Sequence, residues 1–170
     1  MATARRCYRE AVKVRPREEA DRSAALAFLA RHNHARVARL GKLLEPLDYP
    51  ALLAEADGEI VGMLTYLPDP GWEQCEILTL HATEQWHGVG TALIKAVEQL
   101  AAEHGCTRLW LITTNDNVDA LRFYQRRGFQ LAALHRRAVD DCRSRLKPEI
   151  PVVGDYEIPI RDEIELEKRP

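Results

Sequence analysis

The alternation of hydrophobic and polar positions changes period along this chain, and each change marks an element. Residues 8–16 (YREAVKVRP) alternate with a period of two, which predicts a first strand closed by Pro16. Residues 17–44 read as helical in two pieces. Asp21 and Ser23 are cap candidates ahead of a helix over 24–31, and a second helix over 35–44 follows the HNH turn. The LDYP at 47–50 breaks the helical pattern. Two apolar runs, 51–56 and 59–67, flank Asp57-Gly58, a dipeptide that predicts a β-hairpin. After the turn residues Pro68, Pro70 and Gly71, residues 74–81 (QCEILTLH) read as a further strand.

The period then lengthens. Between Gly88 and His104, the residues Val89, Leu93, Val97 and Leu100 fall on one helix face, and Gly105 stands where a C-terminal cap belongs. Residues 108–113 (RLWLIT) predict a short buried strand. After TNDN comes a helix over 118–127, ended by Gly128. Residues 129–138 read as a strand, those around 139–146 as helical, and the tail IPIRDEIELEK as a last strand with a charged, solvated face. The predicted order is β-αα-βββ-α-β-α-β-β. A strand-helix-strand unit over 74–113 requires parallel strands, while the hairpins before it are antiparallel. An α/β fold with a mixed sheet and helices on both faces follows.

Composition narrows the function. A length of 170 residues fits one domain spanning 1–170, with enough chain to bury a core without disulfides or a structural metal. A formal charge of −2 gives no field to hold a polyanion, and only 6% of residues are aromatic, so nucleic-acid binding is not expected. No apolar run reaches the ~18 residues of a membrane span. The first residues lack the apolar stretch of a signal peptide, so a cytoplasmic location is expected. The cysteines (Cys7, Cys75, Cys106, Cys142) are scattered and show no CxxC spacing, which argues against a disulfide framework or zinc. His32 and His34 have no acidic partner at ligand spacing and read as solvated, so no metal is expected.

The segment that carries chemistry is LTLHATEQWHGVG, residues 78–90. A strand runs into a loop, and the loop opens a helix at Gly88-Val89-Gly90. Glycines at a helix N-terminus let a ligand approach the backbone, and the unpaired N–H groups there suit a phosphate or pyrophosphate. The same two glycines also fit a tight strand-to-helix turn with no ligand. GK[ST] is absent, which removes a P-loop, and GxGxxG is absent, which weakens a dinucleotide fold.

QWHGVG resembles the Q/R-x-x-G-x-G/A pyrophosphate motif of the GCN5-related N-acetyltransferases, the GNAT superfamily. Leu78-Thr79-Leu80 sits where that family has its pantetheine-binding strand. Asn115-Asp116-Asn117, Ala120 and Tyr124 to Phe129 resemble its N…A…FY…GF segment. The resemblance covers about 6–138, with 139–168 as a C-terminal extension and last strand, and within the superfamily it points to a bacterial branch of unassigned acceptor. It implies the acyl-CoA N-acyltransferase fold, acetyl-CoA as co-substrate and an amine, small molecule or peptide, as acceptor.

The resemblance also assigns residues. The backbones of Leu78, Thr79 and Leu80 hold pantetheine and the acetyl carbonyl. The backbone from Gln85 through Trp86, His87, Gly88, Val89 and Gly90 to Thr91 cradles the pyrophosphate. Asn115 and Asn117 contact the cofactor arm, and Tyr124 protonates the leaving sulfur. Each has a purely structural rival: Tyr124 as a core residue, the two asparagines as caps of the helix at 118. Two departures stand out. Gln85 replaces the commoner arginine, which removes a cation from the phosphate region, and Ala82 replaces the usual proline.

Such a reaction needs a base. A lysine-like amine with a pKa near 10.4 is neutral in only about one molecule in ~2,000 at pH 7, and a positioned base contributes about 10²–10⁴-fold. Strand alternation puts Glu76 on one face with Leu78 and Leu80, which makes Glu76 the candidate and turns His81 away. No cysteine faces the thioester position, so direct attack in a ternary complex is expected rather than an acetyl-enzyme. The basic group at 135–137 with Arg143 and Arg145 either guides an anion or forms a solvated face. The connection between the last two strands is ~20 residues longer than usual in the family and is expected to border the acceptor pocket. A CoA-binding regulator without turnover and a transferase of longer acyl groups are the alternatives, and the resemblance implies a homodimer through the terminal strands.

Overall fold

Residues 11–32, 35–83 and 88–170 are described by a computed structural model. The Asp57-Gly58 turn joins β4 (Ala51–Ala56) to β5 (Glu59–Pro68), as the two apolar runs require. Around this hairpin, β1 (Lys13–Pro16), β6 (Gln74–Ala82), β7 (Arg108–Thr114), β8 (Gln130–His135) and β9 (Glu163–Lys168) complete a seven-stranded sheet in the order β1-β4-β5-β6-β7-β9-β8. Among the described residues, only β6 and β7 pair in parallel; they are joined through α2 (Val89–Glu103). The other ladders of this sheet are antiparallel. Three further helices are α1 (Arg22–Arg31), α3 (Val118–Gln125) and α4 (Ala138–Arg145).

Both faces of the sheet are covered because β4 and β5 are apolar on both. Leu52, Ala54 and Ala56 of β4 pack with Val89, Leu93, Ile94 and Val97 of α2. Their neighbours Ala51 and Leu53 pack on the other side with Ala25, Phe28 and Leu29 of α1. A doubly covered strand loses the polar alternation of a half-exposed one, which is why these runs read as continuously apolar. Among the described residues, no helix is long and apolar enough to cross a membrane.

The helix predicted over 35–44 is not formed. That segment is a second, two-stranded sheet of β2 (Val37–Arg39) and β3 (Lys42–Leu44), turning at Leu40-Gly41 with φ of 45° and 71°. Its helix-forming composition is overridden by the left-handed turn that Gly41 accepts and by tertiary bonds at Arg39 and Leu40. The observed order is therefore β-α-ββ-βββ-α-β-α-β-α-β.

The last strand also differs from a simple solvated edge. β9 is inserted between β7 and β8, with Ile164 and Leu166 in the α2-side core. On its other face Glu165 meets Arg108 and His135, and Glu163 is only 2% exposed. Nor is Arg143 a free surface cation: its guanidinium donates to the carbonyls of Ile150, Pro151 and Ile160 and to Asp140. It fixes the path of the long connection between α4 and β9.

Candidate functional site

The sheet opens between β6 and β7. Their ladder covers four pairs, Gln74 to Ile77 against Arg108 to Leu111, although the strands run on to Ala82 and Thr114. The divergence begins at a β-bulge. Thr65 of β5 faces Thr79 and Tyr66 faces Ile77, so Leu78 is an extra residue on β6. A bulge bends its strand and disrupts the ladder locally. From Leu78 onward, the edge of β6 turned toward β7 has no strand partner.

The bulge also overturns the expected alternation. Cys75 and Ile77 lie in the α2-side core, and beyond the bulge Leu80 and Ala82 pack against that same core. Glu76 lies on the opposite face, where His81 now joins it: His81 stacks on His32, which in turn contacts Phe28 of α1. Glu76 and Leu80 are thus on opposite faces, and His81 shares the face of Glu76. His32, expected to be solvated, is part-buried in this stack, and desolvation lowers its pKa. His34 lies outside the described residues.

A cleft of about 920 Å³ passes through the opening. It is lined on one side by Leu80, Asn117, Ala120 and Tyr124, and on the other by Arg39, Thr79, His81 and Glu163. The long connection contributes Lys147, Ile150, Pro151 and Ile160. Two reactants could therefore approach from opposite faces of the sheet and meet in the gap.

At the α2 end, Gly88 is the N-cap with φ of 81°, a conformation that glycine accepts without strain. The first intrahelical bond runs from Ala92 N–H to Gly88 O, so the N–H groups of Val89, Gly90 and Thr91 belong to the unpaired first turn. Gly90 has a packing reason as well: a Cβ there would lie 3.1 Å from the Phe123 ring of α3. Arg127 stacks on the same ring at 3.5 Å, donates to Phe123 O, and reaches Thr91 Oγ1. A guanidinium thus stands beside the first turn of α2, in a region where Gln85 had left the sequence short of a cation. Gln85, Trp86 and His87 lie outside the described residues, as does Cys7.

The two asparagines part company. Asn117 caps α3 through Ala120 N–H and lines the cleft. Asn115 is instead a clamp: its amide donates to Pro159 O and accepts from the N–H groups of Arg161 and Asp162. Tyr124 is buried between Phe123 and Phe129, both edge-on, and its ring lines the cleft; burial raises the pKa of its hydroxyl.

Glu76 is not where the sequence placed it functionally. It is 2% exposed, is absent from the cleft wall, and forms a buried ion pair with Arg39 of β2. Burial pushes its carboxyl up to about 7 against the pull of Arg39. Cys75 faces the core, and burial pushes its thiol up to about 12, the opposite of an activated nucleophile. Among the described residues, no group of His, Cys, Asp and Glu is arranged to hold a metal.

Sequence reasoning missed Arg39, Arg127 and Glu163. Arg127 sits inside the FYQRRGF segment and was legible as a cation, but its partner Thr91 is 36 residues away. Arg39 and Glu163 carried no signal, since their surroundings come from other parts of the chain.

Comparison with known proteins matches residues 6–129 to the family described as Acetyltransferase (GNAT) family. The uncharacterized protein YdhI of Bacillus subtilis (strain 168) is 50% identical over 120 residues, which is 71% of this chain and 72% of that protein. An IAA acetyltransferase from Bacillus cereus ATCC 14579 has a similar fold, with a TM-score of 0.72 and 19% identity over 94% of this chain and all of that one. A GNAT family acetyltransferase from Elizabethkingia anophelis, solved with acetyl-CoA bound, gives a TM-score of 0.67 with 19% identity over 94% and 98% of the two chains.

Proposed function

Because the chain belongs to the acetyltransferase (GNAT) family, we propose that it transfers the acetyl group of acetyl-CoA to a primary amine by direct attack in a ternary complex. The observation that carries this reading is the opening between β6 and β7, where the β6 edge is unpaired from Leu78 onward and a cleft passes through the sheet. In a sheet core, unpaired backbone groups are rare and call for a partner. A pantetheine arm, with two amides and a thioester, offers both donors and acceptors at strand spacing.

The residues then take these roles. Leu78, Thr79 and Leu80 hold the pantetheine and the thioester carbonyl through their backbone. The first turn of α2 at Gly88, Val89, Gly90 and Thr91, with the loop residues Gln85, Trp86 and His87 before it, receives the pyrophosphate. Arg127 adds positive charge beside that turn. Asn117 contacts the arm and caps α3, while Asn115 acts at a distance by holding the chain at 159–162. Tyr124 gives its proton to the leaving sulfur as the thiolate forms. The inert, core-facing Cys75 supports direct attack over an acetyl-enzyme.

The test is thiol release from acetyl-CoA with four acceptors: spermidine, tyramine, free lysine and a peptide with a free N-terminal alanine. Acceptor-dependent release with at least one, with the acetylated amine found by mass spectrometry, supports the reading. Tight acetyl-CoA binding with no release above background contradicts turnover.

A further inference from the structure

Several carboxylates lie on or behind the cleft wall; Asp155 is exposed on the long connection, and among the others one differs in being both buried and left with a free oxygen. Glu149 is bonded to Arg36. Asp116 accepts Asp155 N–H through one oxygen, and its other oxygen is sealed from solvent. Glu76 is paired with Arg39, its second oxygen is also sealed, and it does not reach the wall. Glu163 lines the cleft at the start of β9, opposite Thr114, just where β7 has parted from β6. Its Oε2 accepts Leu40 N–H at 2.9 Å. Its Oε1 has no hydrogen-bond partner among the described residues, and it is not one of the sealed atoms.

We propose that Glu163 is the acceptor-side catalytic carboxylate: its Oε1 receives the ammonium group of the acceptor and removes a proton from it. The proposal rests on the acetyl-transfer reading above and names the residue that acts on the amine. The β2–β3 turn positions it, since Leu40 N–H holds one oxygen and leaves the other without a partner. Leu40 holds a left-handed φ of 45°, a conformation unusual for a side-chain-bearing residue and held here by that bond.

The step balances. One N–H bond of the ammonium breaks, and the proton goes to Glu163 Oε1. The freed lone pair forms the C–N bond at the thioester carbonyl, the C–S bond breaks, and sulfur takes the Tyr124 proton. The amide nitrogen then loses its extra proton to the Tyr124 oxygen, and Glu163 releases its own to water. Burial raises the pKa of the Glu163 carboxyl, while the Leu40 N–H bond and the charges of His135 on β8 and Arg39 on β2 pull the other way. A raised carboxyl narrows the gap to the amine it must deprotonate.

The test uses the Leu40 amide as a reporter. The full chain, 15N-labelled and saturated with CoA, is titrated with butylammonium chloride and followed by proton-nitrogen correlation spectra. The expected result is a saturable shift of the Leu40 amide that Glu163→Gln abolishes; glutamine keeps an oxygen for Leu40 N–H but loses the charge. In the assay with the fastest of the four amines, the same variant loses about 100-fold or more in kcat, with acetyl-CoA affinity unchanged. A Leu40 amide that ignores butylammonium in the wild type, or a Glu163→Gln enzyme that keeps wild-type kcat, overturns the proposal. Failure of the acetyl-transfer reading shows separately, as α2 first-turn amides that do not move when CoA is added.

Discussion

Arg39 and Glu76 form a buried ion pair that ties the β2–β3 hairpin to the middle of β6, two residues before the bulge at Leu78. Arg39 also lies over the Trp110 ring, 5.7 Å from its centroid. The pair therefore fixes the strand that carries the proposed thioester site and the wall that faces it. Above about pH 8, where the Glu76 carboxyl is ionised, removing its cation leaves a buried charge unpaired, so Arg39→Ala is expected there to destabilise the fold by about 3–5 kcal/mol. The double variant Arg39→Met, Glu76→Leu is expected to recover most of that loss. Urea denaturation of the three proteins at pH 8 decides it; equal stabilities would mean that the pair makes no net contribution to the fold.

The same carboxylate sets a pH dependence. Its folded pKa is raised from 4.5 to about 7, so its protonated form is favoured by folding. The stability it contributes is fully present below about pH 4.5 and is lost as pH rises through about 7. At about 1.4 kcal/mol per unit, the loss is on the order of 3 kcal/mol. Glu76→Gln is expected to flatten this part of the stability profile, measured as the difference from wild type between pH 4.5 and 8. Parallel profiles would refute it.

Gly90 tests the seat of α3 on the first turn of α2. A Cβ at 3.1 Å from the Phe123 ring needs the ring to give by a few tenths of an ångström; with the ring held by Arg127 and Tyr124, Gly90→Ala is expected to cost about 1 kcal/mol net of the helix propensity that alanine gains. Adding Phe123→Leu should return part of it, at the expense of the ring on which Arg127 stacks. Chemical denaturation of both proteins is the check, and a neutral Gly90→Ala would show that α3 moves freely.

Tyr124→Phe removes one oxygen and keeps the ring packed between Phe123 and Phe129. Expected are a kcat lower by about 10²–10⁴-fold, unchanged acetyl-CoA affinity and little change in melting temperature. A variant with full kcat would leave the hydroxyl without a role in the chemistry.

What could be read from the sequence was what is local. The Asp57-Gly58 turn, the strand into 88–90 and the Asn117 cap each depend on neighbours within a few residues, and each was legible. The second helix over 35–44 was misread because Leu40-Gly41 is held by Glu163, 123 residues away. The bulge at Leu78 carries no proline or glycine, so a strict period of two placed Glu76 and Leu80 on one face. That single extra residue separated the two faces, and burial with Arg39 keeps Glu76 off the cleft wall. Glu163 looked like one of several charges on a solvated strand; only the insertion of β9 between β7 and β8 buries it.

Calorimetric titration of acetyl-CoA into the purified protein, beside free CoA and ATP, tests most directly whether the opening between β6 and β7 is an acyl-CoA site. The account predicts one site per chain with micromolar or tighter affinity for acetyl-CoA and CoA, and far weaker binding of ATP, which lacks the pantetheine arm. An absence of binding at high acetyl-CoA concentration, or equal affinity for ATP, would contradict it.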